Sequence, residues 1–454
     1  VCVSKYSSED GELVPPKLPA DGAVESVMRP FTKELRKRSF AVTPWTYEKY
    51  VETRPRNKVI YQNALQRLRR RGLQPNDGKL RVFIKAEKTA NPDGDPRIIS
   101  PRNPCFNIVV GSFILPLEHI LYNKITRMFG SPTVMKGFNA KQSGNIIHNK
   151  WQDLAAPVAI GFDVHRMDQH VSTHLLHWEH HMYKLFQMPS SVARALKSQI
   201  VNEGTGYAWD GKLKFKIQGR RASGDVNTGL GNCLIMCSAV WSAMHGATYK
   251  WHLANNGDDC VFFVDRWNWP DAETRLKKTL ATLCLPTEFE TPVEELERVV
   301  FCQTQPVFDG EDWIMVRDPR TAIDKDSCTL KPLPSKKAWN TYRNSNSVCG
   351  LAAYGHMPVY KEFYAALGRG AGTRVDRDTV EDGLKRLSKG MKNQARPISV
   401  AARVSFYKAF GIVPSNQLCL ERHYARFAPV WRTPRKGGMS VPEGVVRALM
   451  GCEC

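Results

Sequence analysis

Asn255-Asn256-Gly257-Asp258-Asp259-Cys260-Val261-Phe262-Phe263-Val264 sets two adjacent carboxylates on a glycine-containing turn that runs straight into an apolar segment. Short apolar runs flanking a polar turn read as a hairpin. A hairpin anchored in a sheet would hold Asp258 and Asp259 at a fixed point, where carboxylate oxygens suit hard divalent cations. Metal-dependent phosphoryl transfer is the chemistry this suggests. Gly-Asp-Asp also occurs in ordinary hairpin turns, where Gly supplies the positive φ and Asp bonds its own backbone, so the tripeptide alone leaves both readings open. A second carboxylate pair lies upstream: Val158-Ala159-Ile160-Gly161-Phe162 ends on Asp163, and Asp168 follows five residues later.

With 454 residues the chain exceeds the size at which one core keeps growing, and two or three subdomains are expected. Lys and Arg number 65 against 44 Asp and Glu, a net charge of +21 that points to a polyanionic partner and favours nucleic acid over a membrane surface. The cations cluster at Lys33, Arg36, Lys37 and Arg38, at Arg67, Arg69, Arg70 and Arg71, at Lys85, Lys88, Arg97 and Arg102, and at Arg220 and Arg221. Any one run can be a solvated face; together they suggest a basic channel. The 12 cysteines show no paired CxxC spacing, and Cys233, Cys237 and Cys260 sit in apolar runs, which reads as reduced thiols without structural zinc. The longest apolar stretch, 106–120, is interrupted by Asn107, Pro116, Glu118 and His119 and reads as too short and too polar to span a bilayer. No signal peptide is visible, and a first residue of Val1 suggests a fragment or a processed product.

Along the chain, 47–71 has helical spacing, and Leu80-Arg81-Val82-Phe83-Ile84-Lys85 followed by Ile98-Ile99 reads as a basic hairpin or loop. Residues 158–164 read as a buried strand, and 170–186, 227–244 and 271–283 as helices. Val299-Val300-Phe301-Cys302 and Trp313-Ile314-Met315-Val316 read as a strand pair around Asp309-Gly310, and helix-rich sequence follows from 319. The fold class is α/β, in the α+β sense, with helical material at both ends.

Joining a nucleoside triphosphate to a strand needs two cations about 3.5–4 Å apart, held by carboxylates on neighbouring strands. Asp163 and Asp258 fit those roles, with Asp259 an outer ligand. Asp168, on the turn leaving the first strand, is expected nearer the ribose, or else caps the following helix. Ser223-Gly224-Asp225-Val226-Asn227-Thr228-Gly229-Leu230-Gly231-Asn232 is a flexible turn entering a helix, so Ser223, Thr228 and Asn232 can share one site. Hydrogen bonding among Asp168, Ser223, Asn232 and a 2′-hydroxyl would separate ribonucleotides from deoxyribonucleotides. A simple Ser-Gly helix cap is the other reading. Lys85, Lys88 and Arg97 offer long cations for triphosphate oxygens.

The ordered set Asp163-x4-Asp168, Ser223-Gly224-x3-Thr228-x3-Asn232 and Gly257-Asp258-Asp259 resembles polymerase motifs A, B and C of positive-strand viral RNA-dependent RNA polymerases. Further phrases resemble the tombusvirus family and its carmovirus-, umbravirus- and luteovirus-like relatives: Lys85-Ala86-Glu87-Lys88, Pro96-Arg97-Ile98-Ile99-Ser100-Pro101-Arg102, Lys136-Gly137-Phe138-Asn139, Gly224-Asp225-Val226-Asn227-Thr228, Phe301-Cys302-Gln303, and Ser405-Phe406-Tyr407 with Ala409-Phe410-Gly411-Ile412. The resemblance covers roughly residues 40–420. It implies a right-hand fold of fingers, palm and thumb, the palm an antiparallel sheet backed by helices. The implied division is 1–105 leader and fingers, 106–157 fingers and palm, 158–318 palm with a fingers insertion at about 187–220, and 319–454 thumb. It implies replication of a positive-strand RNA genome by two-metal nucleotidyl transfer, with Asp163, Asp258 and Asp259 holding two Mg²⁺ or Mn²⁺ ions. Asp168, Ser223, Gly224, Thr228, Asn232, Lys85, Lys88 and Arg97 would bind nucleotide, and Arg102, Lys136, Gly137, Asn139, Arg220 and Arg221 RNA. The implied partners are a single-stranded RNA template, nascent RNA, nucleoside triphosphates and a membrane-anchored viral replication protein or upstream region, in replication complexes of the host cytoplasm, with room for an oligomer.

One departure stands out. Many relatives carry a Lys in motif D, assigned as the acid that protonates pyrophosphate; aligned on Glu290-Thr291-Pro292-Val293, that position is Glu288, with Lys277 and Lys278 on the preceding helix. His170, His174, His177 and His181, with His165 and His180 nearby, lie along one helical face and read as a polar or packing surface rather than a zinc site. Rival readings are a reverse transcriptase, which would lack the motif C Gly and carry a bulky group at 168, and a non-catalytic RNA-binding replication protein, which would explain the charge but not the ordered carboxylates.

Overall fold

The structure, a computed structural model, describes residues 6–7, 13–88, 97–208, 211–393 and 396–431; Pro96, quoted above, lies outside the described residues. Two compact units are present, Val1–Val134 with Gly161–Thr291, and Met135–Ile160 with Pro292–Cys454.

The candidate carboxylates stand on a four-stranded sheet ordered Thr287–Phe289, Pro157–Val164, Cys260–Asp265, Trp251–Asn255. Cys260 to Val264 are all buried, which is why the segment reads as one unbroken apolar run rather than an alternating one. Trp251 stacks on Phe262 at 5.8 Å, and Phe162 on Phe289 at 5.2 Å between centroids, cross-strand contacts that fix register. Helix Thr228–Ala243 is apolar on nearly every face because it is enclosed by helices Arg29–Lys37, Thr173–Lys184 and Trp269–Thr282.

A second sheet is ordered Ile98–Ile99, Leu80–Ile84, Val201–Ala208, Gly211–Gln218. The expected basic hairpin is real as the pair Phe83↔Ile99, but it extends into a hairpin at 201–218 through parallel pairing Leu80↔Gly204. The helical segment 47–71 breaks into Tyr47–Glu52 and Lys58–Arg71 at Pro55, which has no N–H to give. Likewise 170–186 resolves into Met167–His170 and Thr173–Lys184, the latter capped by Ser172 Oγ accepting from Leu175 N at 3.2 Å.

The apolar stretch at 106–120 corrects a sequence expectation. It lies in a continuous helix, Pro104–Phe129, of 26 residues, long and apolar enough to cross a bilayer by length and composition. Its apolar side chains are largely buried against Tyr47–Glu52, Lys58–Arg71 and Ser190–Leu196, the environment of a core helix. Pro116 does not end it.

In the second unit, helices Ala140–Gln152, Lys336–Tyr354, Tyr360–Gly368, Val400–Phe410 and Pro414–Arg426 surround the pair Thr304–Phe308 and Trp313–Arg317. The expected strand at 299–302 is displaced to 304–308. Asp309 Oδ1 accepts from the backbone of Glu311 and Asp312 at 2.8 Å, closing a tight loop that puts Phe308 opposite Trp313; Cys302 and Gln303 meanwhile turn the chain at φ 51° and 59°.

Candidate active site

The hairpin expected at Gly257-Asp258-Asp259 forms in register from Trp251↔Val264 to Asn255↔Cys260, leaving Asn256 to Asp259 as its tip. Gly257 takes φ 98°, a conformation an L side chain resists. Buried Asn255 braces the tip: its Nδ2 donates to Gly257 O at 2.7 Å, and its Oδ1 accepts from Gly257 N at 3.3 Å. Asp258 is exposed and Asp259 half-buried. Asp163 stands one residue before the end of the neighbouring strand, also open to solvent. Partial desolvation and the charges of Asp258, Asp259 and, more weakly, Glu288 push its carboxyl up to about 6.

Glu288 is the unexpected member of this group. It lies opposite Asp163 in the antiparallel pair, hence on the same face, and like charges so placed oppose the pairing. Hard oxygen donors pressing on one another's charge fit a hard divalent cation in kind. Among the described residues, no three His, Cys, Asp or Glu side chains close on one point tightly enough to hold an ion as they stand.

Beside the hairpin, Asp168 collects the expected partners. Its carboxylate accepts from Ser223 Oγ and, at 3.1 Å, from Asn232 Nδ2. A Cβ on Gly257 would lie 3.7 Å from Asn232 Cβ, so the hairpin tip adjoins this group. Asp168 is not the helix cap; that position is Arg166. Gly224, at φ 139°, lets the loop lie on Ser100-Pro101, where Ser100 N donates to Ser223 O at 2.7 Å and an added Cβ would come within 3.0 Å of Pro101 N. Thr228 stitches the loop, its Oγ1 donating to Ala222 O at 3.0 Å.

Behind the trio lies a buried polar network that the sequence did not announce. Arg221 forks onto Glu179, both fully buried, and its Nε donates to Asn232 Oδ1 at 3.1 Å. Asn232 thereby keeps its Nδ2 toward Asp168. Glu179 also accepts from Tyr183 Oη at 2.5 Å and Asn227 Nδ2 at 2.8 Å; burial opposes its charge, yet Arg221 holds its carboxyl below the usual range. Gly231 is small because any Cβ there would strike Glu179 and Arg221. The only sequence hint of Glu179 was one acid between Trp178 and His180 on the buried side of a helix.

These contacts place three of the arginines expected to bind RNA inside the unit. Arg102 is buried, paired with Asp225 at 2.6 Å and bonded to Gly78 O and Asn202, so it joins segments of the unit rather than reaching solvent phosphate. Arg221 is committed to Glu179, and Arg220 is buried beside it in sequence. In the second unit, Asn139 forms a capping box with Gln142 and donates to Lys389 O at 3.0 Å, while Gly137 turns at φ 95° next to Lys136. Lys85 and Arg97 come together at Glu87 Oε2, 2.8 and 3.6 Å away, with Lys88 following on the same loop.

Lys277 pairs with Glu273 at 2.7 Å and lies 5.8 Å from the centroid of Phe289. The histidines scatter: His174 meets Asp21 at 3.2 Å, His180 meets Gln199 at 3.1 Å, His181 meets Arg36 at 3.5 Å, and His170 is buried.

Residues 3–432 match the family model described as viral RNA dependent RNA polymerase. The chain is 41% identical over 396 residues to the RNA-directed RNA polymerase of Turnip crinkle virus, covering 84% of this chain and 50% of that protein. It is 37% identical over 414 residues to that of Tobacco necrosis virus (strain A), covering 89% and 57%, and 38% identical over 374 residues to that of Carnation mottle virus, covering 81% and 49%. The chain thus spans about half the length of the curated relatives it matches. With a family-model match over nearly the whole chain and relatives 37–41% identical over more than four-fifths of it, the chain belongs to the viral RNA-dependent RNA polymerase family.

Proposed function

We propose that this chain is the catalytic core of an enzyme that copies single-stranded RNA from ribonucleoside triphosphates, with fingers, palm and thumb arranged as a right hand around Asp163 and Asp258. The observation that carries the reading is the hydrogen-bonded group Asp168, Ser223 and Asn232 beside the Asp258 hairpin, a polar reader next to a carboxylate corner. Polymerases of this family use divalent ions, which Asp163, Asp258 and Asp259 would hold, and which lower the pKa of the attacking 3′-hydroxyl and offset pyrophosphate charge. The chain's own groups do the rest. Asn232 and Ser223, both oriented by Asp168, present a fixed pattern to a ribose 2′-hydroxyl, and Lys85 and Arg97, gathered by Glu87, supply cations for triphosphate oxygens. Synthesis on a short RNA template with four ribonucleotides and Mg²⁺, with and without a primer, tests it; RNA binding with no synthesis would overturn it.

Asp168→Ala is expected to lower discrimination against 2′-deoxynucleotides more than it lowers the maximal rate, because the lost partner aligns the sugar readers. An unchanged ribo/deoxy ratio would return Asp168 to a purely structural part.

Glu288 occupies the place where a proton donor is expected, and it adds charge opposite Asp163. Glu288→Lys should therefore be tolerated or faster in single-nucleotide incorporation, since acid–base help contributes only about 10²–10⁴-fold and water can substitute. More than roughly a hundredfold loss in folded Glu288→Gln would show that this carboxylate is itself required.

A further inference from the structure

The second sheet of the first unit has two unlike faces. On one, Leu80, Val82, Phe215 and Ile217 pack inward: a Cβ at Gly204 would strike Phe215, and one at Gly206 would come 2.7 Å from Val82. On the other, period-two alternation and the registers Arg81↔Thr205, Thr205↔Lys214, Tyr207↔Lys212 and Glu203↔Lys216 bring one row of side chains together. That row holds Lys79, Arg81, Lys212, Lys214 and Lys216, all exposed, against a single acid, Glu203, which Lys216 and Lys79 meet at 3.2 and 3.5 Å. Two aromatics stand among the cations. Phe83 is 53% and Tyr207 68% exposed, each one residue beyond the paired Val82 and Gly206, and Lys212 Nζ lies 5.4 Å from the Tyr207 centroid.

Adjacent exposed aromatic rings rimmed by polar and charged residues mark an interaction site. Rings interleaved with five cations that outnumber the one acid among them meet the two demands of an unpaired nucleic acid strand, a π-face for each base and a positive track for phosphates. A duplex would hide its base faces, and an acidic protein would leave the rings idle. We propose that this face, distinct from the Asp163 and Asp258 corner, binds single-stranded RNA by stacking bases on Phe83 and Tyr207 while Arg81, Lys212, Lys214 and Lys216 track the backbone. The hairpin leads through Gln218 to Ser223 within five residues, so a strand held here is tethered close in sequence to the candidate ribose reader.

The inference needs the chain to meet RNA, as the proposed function holds, but not that it catalyses synthesis. The test measures binding of fluorescent single-stranded and duplex RNA across a salt series, in the Asp258→Asn background so that turnover cannot interfere. Lys212→Ala/Lys214→Ala/Lys216→Ala should weaken single-strand binding and lower the salt slope by about two. Tyr207→Ala should weaken it roughly tenfold with the slope unchanged, and Tyr207→Phe should restore it. Thermal melting checks that each variant is folded. Affinity and slope unchanged in the triple variant would overturn the proposal, as would loss of binding to phosphatidylserine vesicles with RNA binding intact. Failure of synthesis by the wild-type chain, with these binding losses present, would strike the catalytic reading and leave this one standing.

Discussion

Asp258→Asn and Asp163→Asn are each expected to abolish nucleotide incorporation while leaving RNA affinity nearly intact. Asparagine matches aspartate in size, so the hairpin braced by Asn255 and the strand carrying Asp163 should fold unchanged. What is lost is one of the charges of this corner, where desolvation and the neighbouring carboxylates push the Asp163 carboxyl up to about 6. A site of the proposed kind would act on charge that develops in the transition state, so its loss would fall on rate and not on binding through distant phosphates. Asp259→Asn, at a half-buried position, should be milder. Measurement of single-nucleotide extension beside RNA affinity decides it. Elongation by either main variant at a tenth of the wild-type rate would sink the assignment.

How much of this was legible in sequence depends on whether the signal was local. The Gly-Asp-Asp hairpin was, because turn chemistry and flanking apolar runs lie within fifteen residues, and its register follows from them. The Asp168, Ser223 and Asn232 association was legible only through the spacing of polar groups at the start of a helix. The Glu288 and Asp163 pairing was not, since it is created by strands far apart in the chain. Basic residues misled most. Arg102 and Arg221 look like surface cations in a +21 chain, yet each is buried on a carboxylate, Asp225 or Glu179, that nothing nearby in sequence marks as its partner. The long helix Pro104–Phe129 misled for a related reason, because Pro116 and a few polar residues reduce apparent apolarity without ending the helix.

Arg221→Met is expected to destabilise the fold by about 3–5 kcal/mol, because it strands the Glu179 charge in a fully buried site that no water can reach. Surface arginines seldom matter so much; this one lies at 4% exposure with its fork closed on a single carboxylate. Removing both charges in Arg221→Met/Glu179→Leu should recover part of that stability, since apolar groups of similar volume fill such sites without burying an unpaired charge, less the cost of taking the acceptor from Tyr183 Oη. The recovered protein would still lack the donor to Asn232 Oδ1, so the amide could turn away from Asp168. If Arg221 is a positioning residue, the double variant melts above the single variant but incorporates deoxynucleotides more readily than wild type, a readout a merely structural ion pair would not move. A double variant that regains stability together with the full ribo/deoxy ratio would confine Arg221 to the core, and would mean that Asp168 and Ser223 hold Asn232 in place unaided.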